Sequence, residues 1–170
     1  MIIHTHYDLM VPTRVVFLES SIKNCYDDYF IPSIEEGIKK EDNNSYWTNV
    51  KGGMTSWKYF NEDKTFLKLL AESLSSLDLN LSNQELREAW GFKLNTGEST
   101  EQHNHMNHWS GIFYLNDTDT TVEFPEIRKS IKCVKNKFVF FTGILQHGTK
   151  PLVKGPKYGI AFNLSNLVKK

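Results

Sequence analysis

Three histidines in the C-terminal half of the chain have a spacing that suits a metal site. His103 and His105 are two residues apart, so on an extended segment their side chains point to the same side. His147 follows the apolar stretch KFVFFTGILQ in a turn-like context and is the candidate for a third ligand. Neutral imidazole binds iron, zinc, copper and nickel, so the spacing predicts a metal site without choosing the metal.

A structural or solvent-exposed pair is the commoner interpretation of a single His-x-His, and it stays open on spacing alone. A second such pair, His4 and His6, lies at the N-terminus, and we interpret it as uninvolved. We expect His108 to cap the following strand rather than to bind metal. The order of the motifs around His103 and His147 is what favours a site there.

The elements that must position these histidines are predicted from residue 86 onward, where the hydrophobic period changes from about 3.6 towards 2. Turn signals such as Asn95-Thr96-Gly97 separate the apolar segments. Six short strands in series indicate a sandwich or a rolled barrel. These strands are predicted at 86–95, 108–116, 120–126, 130–135, 137–143 and 158–165.

The N-terminal part predicts a helical buttress after a first strand at 13–20. Ser33 and Glu36 form a capping box that is predicted to open a helix through Lys40. Residues 41–57 are predicted to be a long connection. An amphipathic helix is predicted from Asn61, its N-cap, to Leu77, with an apolar face that packs on one sheet. That face consists of Phe66, Leu70, Leu74 and Leu77.

Composition favours one globular domain, residues 1–170, with 1–85 as the buttress and first strands and 86–165 as the core that carries the metal site. Hydrophobic residues make up 39% of the chain, which is enough for a packed core. The fold class is therefore predicted to be mainly β, a jelly roll with N-terminal helices.

Charge and cysteine usage exclude several classes of protein. Twenty basic residues balance 20 acidic ones, which argues against a dedicated nucleic-acid surface. No apolar run approaches the ~18 residues needed to cross a membrane, and no basic segment marks a secretory signal. Cys25 and Cys133 lack a Cys-x-x-Cys spacing, so we expect two reduced, buried thiols. We expect a cytoplasmic protein, in the host cytoplasm if it is viral.

The motifs occur in an order that resembles the prolyl-4-hydroxylase-like branch of the Fe(II)/2-oxoglutarate-dependent oxygenases. Gly97 lies six residues before His103, YLN (114–116) and EFP (123–125) follow, and HGTKPLVKGPKY (147–158) closes the series. The resemblance covers roughly residues 86–165. Other segments resemble small bacteriophage members of the superfamily, namely TSWKYF (55–60), WGFKLNTG (90–97), SGIFYLN (110–116) and GIAFNLS (159–165).

The resemblance implies a double-stranded β-helix, which is a jelly roll, with iron at its open mouth. It implies that His103 and His147 are iron ligands and that Lys157 pairs with the distal carboxylate of 2-oxoglutarate. Thr100 occupies a position where many relatives carry a tyrosine that contacts this cosubstrate. Asn163 is a further candidate for cosubstrate binding, because it alternates with Gly159 and Ala161 and is expected to face the barrel interior. We interpret Tyr114 as a core or rim residue rather than a catalytic one.

One position departs from the family pattern, because His105 stands where the usual second ligand is an aspartate. His105 is predicted to be a true third ligand, as in other three-histidine iron sites. Alternatively, Glu101 supplies the carboxylate, or the iron chemistry is altered or lost.

The function implied is an Fe(II)- and 2-oxoglutarate-dependent dioxygenase, a hydroxylase that couples 2-oxoglutarate decarboxylation to C–H oxidation. Its partners are 2-oxoglutarate, dioxygen and an unknown peptide, protein or small-molecule substrate. Two alternatives remain: a cupin-like three-histidine dioxygenase that needs no 2-oxoglutarate, and a non-enzymatic jelly-roll module for binding or structure.

Overall fold

The computed structural model describes residues 17–41, 48–76 and 84–166, which form eleven strands, two α-helices and one short 3-10 turn at Pro125–Ile127. The helices are α1 (Asp27–Lys40) and α2 (Lys64–Ser76). The strands are β1 (Phe17–Ser21), β2 (Val50–Lys51), β3 (Gly53–Met54), β4 (Gln84–Leu94), β5 (Ser99–His103), β6 (Trp109–Tyr114), β7 (Thr121–Phe124), β8 (Lys129–Lys132), β9 (Lys137–Thr142), β10 (His147–Thr149) and β11 (Lys157–Asn166).

The strands form two antiparallel sheets. The larger sheet has the order β1-β9-β6-β11-β4-β3, and the smaller one has the order β2-β5-β10-β7-β8. Neighbouring strands are often far apart in sequence, as when β11 pairs with both β4 and β6. The predicted fold class, a β-rich jelly roll with helices, is confirmed.

Each face of the larger sheet contributes to a different apolar cluster. Side chains alternate between the two faces of a strand. On β6, Ile112 and Tyr114 join the cluster between the sheets, whereas Phe113 joins the cluster under the helices. Phe30 and Ile34 of α1, and Phe66 of α2, cover that outer cluster. The inner face packs against the smaller sheet through the second cluster.

Helix α1 begins at Asp27, so the predicted start at the Ser33 capping box is wrong. Phe30 and Ile34 are spaced four residues apart and are both fully buried, so the apolar stripe of the helix begins before Ser33. The N–H of Phe30 donates to the carbonyl of Tyr26 at 2.9 Å, which fixes the earlier first turn.

Helix α2 begins at Lys64, and its N-cap is Asp63 rather than the predicted Asn61. The Oδ1 atom of Asp63 accepts a hydrogen bond from the N–H of Phe66 at 2.8 Å. Asn61 instead donates from its side-chain amide to the carbonyl of Arg87 at 3.2 Å. The predicted apolar face is largely confirmed, because Phe66 and Leu70 are buried and Leu74 packs against them. Leu77 lies outside the described residues.

Four short strands were not predicted. β2 and β3 lie within the segment 41–57 that we expected to be a connection, and β5 and β10 carry two of the histidines. Of the first predicted strand, the described part begins at Phe17. Cys133 is buried as predicted, but Cys25 is exposed, and both thiols are free. Neither of the two described helices combines the length and the apolar composition that a membrane span requires.

Candidate metal centre and cosubstrate pocket

The structure brings the three predicted ligands together. His103 ends β5 and lies directly opposite His147 of β10, and His105 follows two residues after β5. One potential ligand atom from each ring lies within 4.8 Å of the others. The ring centroids are 4.3 Å apart for His103 and His147, 4.9 Å for His103 and His105, and 5.2 Å for His105 and His147. Of the described residues, these three form the cluster suited to a metal ion.

Backbone carbonyls orient two of the three rings. The Nδ1 atom of His103 lies 2.7 Å from the carbonyl oxygen of Glu101, and Nδ1 of His147 lies 3.0 Å from that of Leu145. A carbonyl oxygen only accepts hydrogen bonds, so each Nδ1 carries the proton. The Nε2 atom of each ring then keeps its lone pair for a metal ion, which is the usual arrangement of a ligating histidine.

The loop after β5 fixes the position of His105. Its backbone N–H donates to the carbonyl of Gly143 at 2.8 Å, and the N–H of Gly143 donates to the carbonyl of His108 at 3.1 Å. A Cβ atom on Gly143 would lie 2.1 Å from the carbonyl oxygen of Asn107. The loop and the turn therefore approach so closely that only glycine fits at position 143.

Burial keeps the imidazoles neutral. It lowers the pKa of His103, and it lowers the pKa of His105 to about 4 and that of His147 to about 3, with smaller contributions from repulsion between the rings. A histidine must be neutral to bind a metal ion. At neutral pH the cluster is therefore in the state that ligation needs.

The alternative ligand Glu101 does not reach the cluster. Its carboxylate lies 3.4 Å from the ammonium of Lys51, and the side chain is 58% exposed. Its contribution is the backbone carbonyl that orients His103. The donor set is three neutral imidazoles, and these suit Fe(II) as well as other divalent metals.

Lys157 is buried inside the same jelly roll. It is 1% exposed, and its ammonium donates to the hydroxyl of Thr149 at 3.0 Å. The ammonium also lies 5.7 Å from the ring centre of Phe92 and 5.4 Å from that of Tyr114. None of the carboxylates among the described residues forms an ion pair with it. Burial lowers its pKa because the charged form lacks solvent and a counter-ion.

Tyr114 adds an unpartnered polar atom beside this ammonium. Its side chain is fully buried, and its hydroxyl has no hydrogen-bond partner within the described part of the chain. Burial, and to a lesser degree the neighbouring Cys133, raises the pKa of Tyr114 far above its usual value, so the hydroxyl keeps its proton. The sulfur of Cys133 is only a weak acceptor, so the hydroxyl is available to donate to a bound group. The prediction that Tyr114 is a core residue is confirmed by its burial, but the sequence did not indicate that its hydroxyl would lack a strong partner.

One pocket joins the two groups. Its lining includes the three histidines, Lys157 and Thr149, and also the predicted Thr100, which lies opposite Thr149 in the smaller sheet. Asn163 is not in that lining. It lies six residues from Lys157 on the same strand, roughly 20 Å away at the usual strand rise. Asn163 forms hydrogen bonds with Ser110 and Glu88, and its part in cosubstrate binding stays a prediction.

Comparison with solved structures identifies the fold. The chain matches a viral collagen prolyl hydroxylase of Paramecium bursaria Chlorella virus-1 in complex with 2-oxoglutarate, with a TM-score of 0.66 and 15% identity over 89% of this chain and 96% of that one. It matches a Trichoplax adhaerens prolyl hydroxylase, solved with a peptide fragment of hypoxia inducible factor, with a TM-score of 0.62 and 11% identity over 89% of this chain and 83% of that one. 

A third match was solved with a metal ion and two bound molecules. HygX of Streptomyces hygroscopicus, solved with nickel, 2-oxoglutarate and hygromycin B, has a TM-score of 0.65 and 11% identity over 89% of this chain and 82% of that one. No protein-family model and no curated protein matches the chain. The fold is that of the 2-oxoglutarate- and iron-dependent oxygenases, and prolyl hydroxylases are among the proteins that share it.

Proposed function

We propose that this protein is an Fe(II)- and 2-oxoglutarate-dependent dioxygenase that hydroxylates its substrate. The observation that carries the proposal is the pocket in which three neutral imidazoles and a buried ammonium without a counter-ion face the same space. When bound, Fe(II), 2-oxoglutarate and dioxygen supply chemistry that converts 2-oxoglutarate to succinate and carbon dioxide and oxidises a C–H bond. The protein binds and orients the metal, the cosubstrate and the substrate, and it excludes water from the site.

The chain's residues divide into two sets in this proposal. His103, His105 and His147 hold the metal through ring nitrogens that burial keeps unprotonated. Lys157 and Tyr114 hold the distal carboxylate of 2-oxoglutarate, and Thr149 orients the ammonium. A dianion in this pocket gives the buried charge its counter-ion and gives the tyrosine hydroxyl its acceptor.

The buried lysine argues against the two alternatives. A three-histidine dioxygenase that works without 2-oxoglutarate has no use for a buried, unpaired ammonium in the same pocket. A binding or structural module has even less reason to bury one, since an unpaired charge is costly. Both alternatives leave the hydroxyl of Tyr114 unexplained.

The test is anaerobic addition of Fe(II) and then 2-oxoglutarate to the metal-free protein. We expect an absorption band in the visible range that needs both additions, because chelation of the metal by the keto acid creates a metal-to-ligand charge transfer. His147→Ala, which removes a ligand, is expected to abolish the band. Tight Fe(II) binding without the band would favour the dioxygenase that needs no 2-oxoglutarate. Failure to bind Fe(II) would favour the non-enzymatic module.

A further inference from the structure

A row of three polar side chains crosses the inner face of the larger sheet beside the metal pocket. Asn163 of β11 lies opposite Glu88 of β4 on one side and Ser110 of β6 on the other. On each of the three strands, the residue two positions away from the row lines the pocket. These residues are Trp90 of β4, Ala161 of β11 and Ile112 of β6. Since side chains alternate along a strand, both rows point into the barrel.

The row is also level with the metal cluster. Ser110 lies opposite Phe141 of β9, and the ring of Phe141 is 4.6 Å from the ring of His147. Lys157 begins β11 and lines the pocket at the other end of that strand. The polar row is therefore on the side of the metal cluster away from the proposed cosubstrate site, which is the side left for a substrate.

Hydrogen bonds fix the direction of the row. The hydroxyl of Ser110 donates to Oδ1 of Asn163 at 2.7 Å, and Nδ2 of Asn163 donates to Oε2 of Glu88 at 3.0 Å. Ser110 is 2% exposed and Asn163 is 1% exposed. A turned amide would set its oxygen against the carboxylate oxygen, so the N–H end of the Asn163 amide must face Glu88.

Three half-buried carboxylates, those of Asp27, Glu35 and Glu123, each lie 2.7 to 2.8 Å from a lysine ammonium. Two others, Asp63 and Glu98, accept hydrogen bonds from backbone N–H groups. Glu88 is half-buried too, yet its contact among the described residues is the single amide of Asn163. Its Oε1 atom has no partner there. The structure thus holds an oriented carboxylate with one free acceptor and no cation.

An aromatic wall lies next to this carboxylate. Trp90 is two residues from Glu88 on the same face of β4, and its ring packs edge-on against Trp57 at 4.7 Å and lies 6.3 Å from the ring of His105. A carboxylate and an indole on the same face of a strand, two residues apart, are groups that bind a protonated nitrogen, the first through a charge-assisted hydrogen bond and the second through a cation–π contact.

We propose that Glu88 is a specificity-determining residue that binds a protonated nitrogen of the substrate, an amine or a guanidinium, beside the oxidised carbon. Ser110 and Asn163 are positioning residues that hold the carboxylate. This inference rests on the proposed oxygenase function and adds to it the substrate class, a cationic side chain or amine.

The test uses matched cationic and neutral probes in calorimetric titrations. N-acetyl-lysine methylamide and N-acetyl-arginine methylamide are compared with their neutral counterparts, the norleucine and citrulline derivatives. Each probe is titrated into the protein as purified and into the protein loaded anaerobically with Fe(II) and 2-oxoglutarate. We expect at least one cationic probe to bind about tenfold more tightly than its neutral counterpart, as a charge-assisted hydrogen bond allows.

Two variants locate the effect. Glu88→Gln keeps the shape of the side chain and is expected to remove the preference for the cationic probe. Glu85→Gln is the matched control on the same strand, because Glu85 is about half exposed and already pairs with Arg87 at 2.9 Å; its preference is expected to stay. Equal binding of charged and neutral probes by the unmodified protein overturns the proposal, and so does a preference that survives in Glu88→Gln.

The two proposals fail separately. Loss of the charge-transfer band with a preserved, Glu88-dependent preference for cations would overturn the oxygenase function and leave a cation-binding pocket. A normal band without any preference for cations would leave the oxygenase function intact and overturn the role of Glu88. Solubility and far-ultraviolet circular dichroism confirm that Glu88→Gln folds before either conclusion is drawn.

Discussion

A single side chain, Lys157, carries most of the expected affinity for 2-oxoglutarate. Lys157→Ala would leave a desolvated carboxylate without its partner, a loss of roughly 3–5 kcal/mol, or two to four decades in affinity. Iron binding is expected to change little, because the lysine is not a ligand. Lys157→Arg is expected to retain part of the function, limited by the fit of the larger guanidinium. Succinate formation against 2-oxoglutarate concentration checks this; identical curves for Lys157→Ala and the unmodified protein would contradict it.

Tyr114 allows a prediction in which stability and binding move in opposite directions. Tyr114→Phe removes a buried hydroxyl that has no partner in the described structure, so the ligand-free protein should keep or gain stability. The same change removes a donor to the proposed carboxylate and is expected to weaken 2-oxoglutarate binding by about tenfold. Thermal unfolding with and without 2-oxoglutarate measures both effects. A large loss of stability without ligand would mean that the hydroxyl has a structural partner.

The buried histidines predict a loss of stability in acid for the metal-free protein. In the unfolded chain the pKa of each histidine is near 6.5, whereas in the folded chain that of His105 is about 4 and that of His147 about 3. Between these values the unfolded state binds more protons, so the free energy of unfolding falls as the pH drops from 6.5 towards 4. We expect a loss of roughly 5 kcal/mol over this range, about half of it from each of these two rings. Urea unfolding in the presence of a chelator measures it, and His147→Gln should flatten the dependence.

Among the elements, the contact between the turn at Gly143 and the loop 104–108 sets the geometry of His105. Gly143→Ala would place its Cβ atom against the backbone carbonyl of Asn107, so the loop must move. We expect metal affinity to fall by about 10–100-fold, the range typical of lost support around a metal ligand. Ile144→Ala is the matched control, because that neighbouring side chain is 52% exposed. Fe(II) or Co(II) titration measures the effect; unchanged affinity in Gly143→Ala would mean that the metal does not need His105.

The same elements explain what the sequence could predict. β4, β6, β9 and β11 form the centre of the larger sheet, so their apolar residues alternate or occur in buried runs. The sequence therefore predicted these four strands to within a few residues. β5 (Ser99–His103) and β10 (His147–Thr149) are short and mostly polar, and only pairing across the sandwich makes them strands. The three clustered histidines could still be predicted from spacing and motif order. Glu88 could not, because a lone glutamate in a strand has no spacing signal until Asn163 is placed beside it.

In the whole molecule, the two faces of the larger sheet have different roles: the outer face packs against the helices, and the inner face carries the groups of the proposed site. Its outer face packs aromatic side chains under two helices, with Phe113 and Phe138 stacked at 4.2 Å and Phe30 edge-on to Phe113 at 6.1 Å. Its inner face holds a buried ammonium, a tyrosine hydroxyl and the row that ends at Glu88. Polar groups that would be costly in most cores are tolerated inside because the outer cluster stabilises the sheet independently.

The ladder between β5 and β10 has a consequence for the order in which parts of the protein open. Two residue pairs join these strands, His147 with His103 and Thr149 with Thr100, and the register shifts between them. Such a ladder should unfold locally at low cost, whereas β4 and β11 pair along ten residues of β11. A metal ion shared by His103 and His147 would tie β5 to β10 across 43 intervening residues. In hydrogen-exchange mass spectrometry we therefore expect the amides of β5 and β10 to exchange first without metal and to become protected together when it binds.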